Sequence, residues 1–438
     1  MPTTAIATGE SQSGGRLNTY YNKIQPIHEL ADAFLLTVAP GTIRSDRPEP
    51  MIRVLSENEN RVPRTAPDAA NYRQWEVAGG SHLPRMAFEN FQAPVERDLG
   101  LTLSASCTKY PLSRVQWPLV VNSAYAHLVD WANGGDAPPI APRGQYDPGA
   151  DPAATDQLVR DGLGIAAGGI RLPEVTVPVR VNTGINTIGS GGGIFSAFCP
   201  LLGSTEDLSG ETVLARYKDF ADYMGKVAQQ TYALAAQGFI LAQDVPRLLA
   251  MHRAVPNVRP TVPVRSAGAA QNTGSFTLTW KGTQAPQSTF ELQHSKDGGT
   301  TWSAVAGAGA IDNPPFALTN EEDGNWTYRV RSNTTIPADA VRAEYVQTTP
   351  FSVRSSPTLV DGSGPKIKLK CPKRVEVGEK AFATIKATDR GVGLAKDPSG
   401  KKKIKTGKKG KQRIKVKATD KLGNKSVAKC KVEVVKKG

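Results

Sequence analysis

Short, mostly apolar runs punctuate the first eighty positions of the chain. TTAIAT at residues 3 to 8, Ala33 to Val38, Met51 to Leu55 and Gln74 to Ala78 are each bounded by Gly, Pro, Asp or Asn. Runs of this length without strict polar alternation predict strands buried on both faces, as in a parallel sheet, with the segments between them supplying helices over that sheet. The first run passes through GESQSGG into RLNTYYNKI, which reads as strand, tight turn and helix.

From about residue 95 to 256 the pattern changes to Pro- and Gly-rich loops broken by two helical stretches, SRVQWPLVVNSAYAHLVDWANGG and ETVLARYKDFADYMGKVAQQTYALAAQGF. In the second, Val213, Tyr217, Phe220, Met224 and Val227 recur at helical spacing and predict one buried stripe. NVRPTVPVR, residues 257 to 265, reads as a linker. Beyond it polarity alternates residue by residue in SFTLTW, FELQHS, NWTYRVRS and PFSVRSS, and again, after GSGP at 362 to 365, in KIKLKCPKRVEV, KAFATIKATD, KQRIKVKATDKLGN and KCKVEVV. Two all-β sandwich modules are expected, at 266–360 and 365–438.

Composition sharpens this division. The net charge of +14 over 438 residues belongs to the tail: from Lys366 onward there are 25 Lys and Arg against 6 Asp and Glu, or +19, leaving 29 against 34, or −5, for the rest. The stretch KKKIKTGKKGKQRIKVK carries no aromatic on which a base could stack, so a solvated basic face or contact with an anionic glycan or envelope is expected, rather than nucleic-acid recognition. No run approaches the ~18 apolar residues of a membrane-spanning helix. The opening PTTAIATGES lacks the basic start and apolar core of a secretory signal. Cysteines at 107, 199, 371 and 430 form neither a CxxC pair nor a Cys/His ligand set, which argues against zinc. Cys371 and Cys430 stand near the first and last strands of the final module, a separation suited to a disulfide.

The candidate chemistry lies in the first domain. Ser11 sits in Gly9-Glu10-Ser11-Gln12-Ser13-Gly14, the nucleophile-elbow pattern with Ser13 in place of its last Gly. A sharp reversal between strand and helix needs small residues at 9 and 13. Such an elbow is followed along the chain by an acid and then a His, each after a later strand. His82 follows QWEVA in the loop VAGGSHLP and is the candidate general base. For the acid, RVLSENENRVP offers Glu57 and Glu59: Glu59 precedes Arg61-Val62-Pro63 and is favoured, Glu57 lies nearer the strand end, and Asp68 is an outside candidate. The Gln12 backbone N–H is the assignable oxyanion donor. Gly189 to Gly193 lack a following GK[ST] and read as a loop, and the single SKDGGTTW at 295 to 302 reads as a hairpin.

GESQSGGRL, SENE, WEVAGGSH, WANGGDAPPIAPR, GGIRLPEVTVPV and AQGFILAQDV resemble, in that order from residue 3 to about 255, a bacterial α/β-hydrolase family of uncharacterised esterases. The later segments resemble fibronectin type III and bacterial immunoglobulin-like modules. The resemblance implies an α/β fold: a partial α/β-hydrolase sheet within 1–256, with a helical extension at 95–256, followed by the two β-sandwiches. It implies a Ser/His/Glu serine hydrolase acting on a carboxylic ester without metal or organic cofactor, exported to the envelope or the medium. In that family the strand before the serine is about the fifth of eight. The natural protein is therefore expected to extend N-terminally by about one to two hundred residues, which would supply the second oxyanion donor. The competing expectation is a binding or adhesion protein with an inactive hydrolase remnant.

Overall fold

The computed structural model describes residues 4–44, 46–63, 67–193, 195–266, 268–338 and 343–436. Thr3, where the first apolar run begins, lies outside the described residues. The chain divides into two compact units. One comprises 1–258 with 283–287 and 334–348; the other comprises 259–282, 288–333 and 349–438.

The first unit is built on four strands, β1 (Ile6–Glu10), β2 (Ala33–Thr37), β3 (Met51–Ser56) and β4 (Tyr72–Val77), all parallel and adjacent in chain order. Every residue of β2 and β3 is buried, so both strands are mostly apolar; the buried exceptions are Thr37, Ser56 and Arg53, whose guanidinium donates to the Gly41 carbonyl. Alternate side chains enter two separate cores. Ala33, Leu35, Ile52, Val54, Trp75 and Val77 pack on one face, where the helix Pro118–Ala132 contributes Leu119, Val120, Ala124 and Leu128. Phe34, Leu36, Met51 and Tyr72 pack on the other face beneath Tyr21 of helix α1 (Ser11–Lys23).

Two elements depart from the expected pattern. A helix spans Arg85–Leu99 with Pro94 inside it; none of its residues is fully buried, and Phe88 packs partly buried against a small core cluster. The long stripe from Val213 to Val227 runs through two helices, Gly210–Arg216 and Phe220–Ala236, because Asp219 accepts hydrogen bonds from the backbone N–H groups of Ala221 and Asp222 and starts a new helix. Tyr223 is fully buried there, and Met224 only partly.

The second unit is all β. Ser288–Ser295, Gly324–Ile336 and Thr358–Val360 are neighbours in one sheet; Val264–Arg265, Phe276–Thr279 and Phe316–Leu318 form another. Trp280, Phe290, Tyr328 and Val330 lie in the core they share. Two three-stranded sheets follow: Lys366–Lys370, Phe382–Thr388 and Gly400–Lys403, then Arg374–Glu376, Gly410–Thr419 and Lys425–Val435. Val375, Ala383, Ile404, Ile414, Val432 and Val434 fill the core, and Cys371 is bonded to Cys430 with Cα atoms 6.3 Å apart. The SKDGGTTW stretch is a hairpin turn: Asp297 accepts hydrogen bonds from the N–H groups of Thr300 and Thr301 and from the Ser295 hydroxyl. No helix among the described residues is long and apolar enough to cross a membrane.

Candidate active site

Three strand ends deliver three side chains to one point. Ser11 follows β1 directly, with φ of +52°, in the left-handed region where a non-glycine residue costs about 1 to 3 kcal/mol. Its neighbours explain how the turn closes. A Cβ on Gly9 would stand 2.9 Å from Gly14 Cα, and one on Gly14 would stand 2.6 Å from Ala39 Cβ and 2.9 Å from the Gly9 carbonyl oxygen. The second position that must be small is therefore 14, one residue beyond the expected 13. Ser13 instead caps α1, its hydroxyl donating to the Glu10 carbonyl at 2.7 Å and accepting from the Glu10 N–H at 3.1 Å.

His82 belongs to the loop after β4, and β4 is separated from β1 by two strands. Gly79, at φ +72°, turns the chain back across the sheet. A Cβ there would stand 2.9 Å from Val175 Cγ2 and 3.0 Å from Val115 Cγ2, so both the conformation and the space require glycine. His82 Nε2 lies 2.7 Å from Ser11 Oγ, and His82 Nδ1 lies 2.6 Å from Glu59 Oε1. Glu59 is 6% exposed, and its other oxygen accepts the Ser56 N–H at 3.1 Å and the Ser56 hydroxyl at 2.6 Å. With Nδ1–H donating to this carboxylate, the Nε2 lone pair faces the serine hydroxyl, the tautomer that can take a proton from it.

Glu57 does not reach His82. It is 1% exposed, accepts the Gly79 N–H at 2.6 Å and the Gly184 N–H at 3.1 Å, and pairs with Arg160 at 2.9 Å. It therefore holds the loop that carries His82. Other braces converge on the same loop: Ser113 Oγ donates to the Gly79 carbonyl at 2.5 Å, and Leu83 N–H donates to the Leu201 carbonyl at 2.9 Å. Asp68 is also remote from the imidazole, pairing with Arg143 at 2.9 Å. The Gln12 N–H lies in the first turn of α1, where amides have no intrahelical partner. The Glu10 carboxyl, near the imidazole, is pushed above its usual range by the protein surroundings, with His82 pulling it the other way.

Sequence reasoning passed over the braces Ser56, Ser113, Arg160 and Gly184; only Ser56 carried a local signal, its three-residue spacing to Glu59, which matches a capping box. The four cysteines left room for a second disulfide, and Cys107–Cys199 forms it, holding the segment leading to Leu201. In the second unit, carboxylate oxygens of Asp361, Asp389 and Asp420 lie within 4.8 Å of one another, close enough to share a cation. Each of the three also accepts hydrogen bonds from nearby backbone amides.

Residues 1–250 match the family model of the alpha/beta hydrolase domain. The chain belongs to the α/β hydrolase domain family. Ser11, Glu59 and His82 occur in the chain order expected of an α/β hydrolase, each beyond the carboxyl end of a parallel strand. The chain is also similar to the crystal structure of chicken CNTN1 FN1-FN3 domains, at 14% identity, with 41% of this chain and 67% of that chain covered and a TM-score of 0.24. No curated protein matches the chain.

Proposed function

We propose that this α/β hydrolase cleaves carboxylic esters through an acyl-enzyme on Ser11. The observation that carries the reading is the unbroken hydrogen-bonded series Ser11, His82, Glu59, anchored at its far end by Ser56. Ser11 Oγ attacks the carbonyl carbon as its proton passes to His82 Nε2, and Glu59 stabilises the imidazolium. The oxyanion meets the Gln12 N–H. Collapse expels the alcohol, which takes the proton from His82. Water then gives a proton to His82 and attacks the acyl carbon, and Ser11 regains its proton as the carboxylic acid leaves.

The test is labelling with a fluorophosphonate, which phosphonylates an activated serine. Labelling of the wild type that is absent in Ser11→Ala and lowered at least a hundredfold in rate in His82→Ala supports the reading. Equal labelling of wild type and Ser11→Ala refutes it.

Two further features support action outside the cell on a surface-bound substrate. Two disulfides are the chemistry of an oxidising compartment. The residues 366–438 form a basic module whose exposed strands set like charges opposite one another: Arg413 faces Lys431, Lys415 faces Lys429, and Lys368 faces Lys386 on the other sheet. Opposed like charges weaken a sheet, and an anionic glycan laid along them removes that repulsion. Heparin retention that falls to lower salt in Lys415→Glu/Lys429→Glu supports this partner; unchanged retention removes it.

A further inference from the structure

Apart from the Ser11 site, the hydrolase unit holds a cavity of about 200 Å³ whose wall gathers four arginines, Arg85, Arg114, Arg180 and Arg247, with Glu174 and His252. Arg85 is neutralised by Glu89 at 2.6 Å, and Arg180 by Asp207. No carboxylate pairs with Arg114 or Arg247 among the described residues: Arg247 touches the Met86 sulfur, and Arg114 Nε is buried without a protein partner. Burial above all, with Arg180 and Arg85 adding to it, pulls the Arg114 guanidinium down to about 9.

Met86, Met251 and Val255 supply an apolar part of the wall, and two further polar side chains on it carry unsatisfied atoms. The His252 side chain is 6% exposed; its Nδ1 meets the Tyr223 hydroxyl at 2.6 Å, while Nε2 has no hydrogen-bond partner. Glu174 Oε2 is buried and unpartnered too, and Nε2 lies 3.9 Å from Glu174 Oε1, too far for a hydrogen bond. Burying such groups without partners is unfavourable. A hydroxyl placed between the two would satisfy both.

We propose that this cavity binds a small oxyanion-bearing molecule, its anionic group held by Arg114 and Arg247 and its hydroxyl seated between His252 Nε2 and Glu174. The volume lies below the range of drug-sized sites, which fits a ligand of few heavy atoms. Occupancy would be felt nearby. Ser113, next to Arg114, donates to the Gly79 carbonyl, and Val175, next to Glu174, packs against Gly79.

The experiment is calorimetric titration of the full chain with sodium glycolate, sodium acetate and inorganic phosphate, each against chloride at matched ionic strength. Arg247→Gln is the principal variant, because Arg247 is exposed and its loss leaves the fold intact. The Lys-rich module is common to both proteins, so its own anion binding cancels. The expected result is saturable binding of glycolate or phosphate that weakens at least tenfold in Arg247→Gln and in Arg114→Gln. Tighter binding of glycolate than acetate, lost in His252→Phe, identifies a hydroxylated carboxylate; binding of phosphate alone identifies a phosphate source. Binding no stronger than chloride for all three probes, or equal binding by wild type and Arg247→Gln, overturns the proposal.

Discussion

Replacing Glu59 and Glu57 by Gln, one at a time, separates chemistry from scaffolding in two residues that stand two positions apart. In Glu59→Gln the side-chain oxygen still accepts from Ser56, and the new amide N–H₂ faces His82 Nδ1. The imidazole must then carry its proton on Nε2, where it can no longer take one from Ser11. An amide in the equivalent place in a serine protease lowers kcat by about 10⁴, roughly 5 kcal/mol of transition-state stabilisation. The same loss is expected here, with little change in folding stability. Glu57→Gln removes the charge opposite Arg160 and weakens the hold on Gly79 and Gly184. Breaking a buried pair costs about 3 to 5 kcal/mol; Arg160 keeps Asp156 at 2.9 Å and is 21% exposed, so about 2 to 3 kcal/mol is expected. The assay is turnover of a p-nitrophenyl ester normalised to fluorophosphonate-titrated sites, alongside urea unfolding. Glu59→Gln within tenfold of wild-type turnover, or Glu57→Gln folded but inactive, would refute the assignment.

Reduction of Cys107–Cys199 opens a loop whose ends are 92 residues apart, a crosslink contributing about 4 to 5 kcal/mol in the chain-entropy model. Because Leu201 binds the residue after His82, ester turnover of Cys107→Ser/Cys199→Ser should fall together with the thermal midpoint, and a variant of unchanged midpoint and turnover contradicts this. The pH profile of stability offers another check. Burial raises the Glu174 carboxyl to about 7 from an ordinary 4.5, so its contribution is complete below 4.5 and is lost as pH rises through 7. Burial lowers the His252 imidazole to about 4 from 6.5, so its contribution is present above 6.5 and lost as pH falls through 4. Between 4.5 and 6.5 the two slopes oppose and cancel. Glu174→Gln should therefore unmask a stability that rises by roughly 1.4 kcal/mol per pH unit over that window, read by urea unfolding at pH 4.5, 5.5 and 6.5; a flat profile counts against it.

The sheet was legible because β2 and β3 are buried on both faces and are therefore mostly apolar, with no strict polar alternation. Ser11 and His82 were legible because glycines mark both turns. The sequence favoured Glu59 over Glu57 only by its place before Arg61-Val62-Pro63; the partners that hold Glu57 away from His82, Arg160 and Gly184, are 103 and 127 residues from it. The helix Arg85–Leu99 escaped because Pro94 interrupts it in the sequence and none of its residues is fully buried. At Asp219 a single cap outweighed a stripe that continues at helical spacing across the break. The arginine cavity draws on segments near residues 85, 114, 180 and 250, a grouping that only the tertiary fold creates.

The facing cations of the 366–438 module give salt two opposite effects. Added electrolyte screens Arg413 from Lys431 and Lys415 from Lys429, so the module tightens as ionic strength rises, while attachment to any polyanion loosens. A bound polymer does by contact what salt does by screening. On the glycan-binding reading proposed above, the module would resist unfolding most while a polyanion is bound to it.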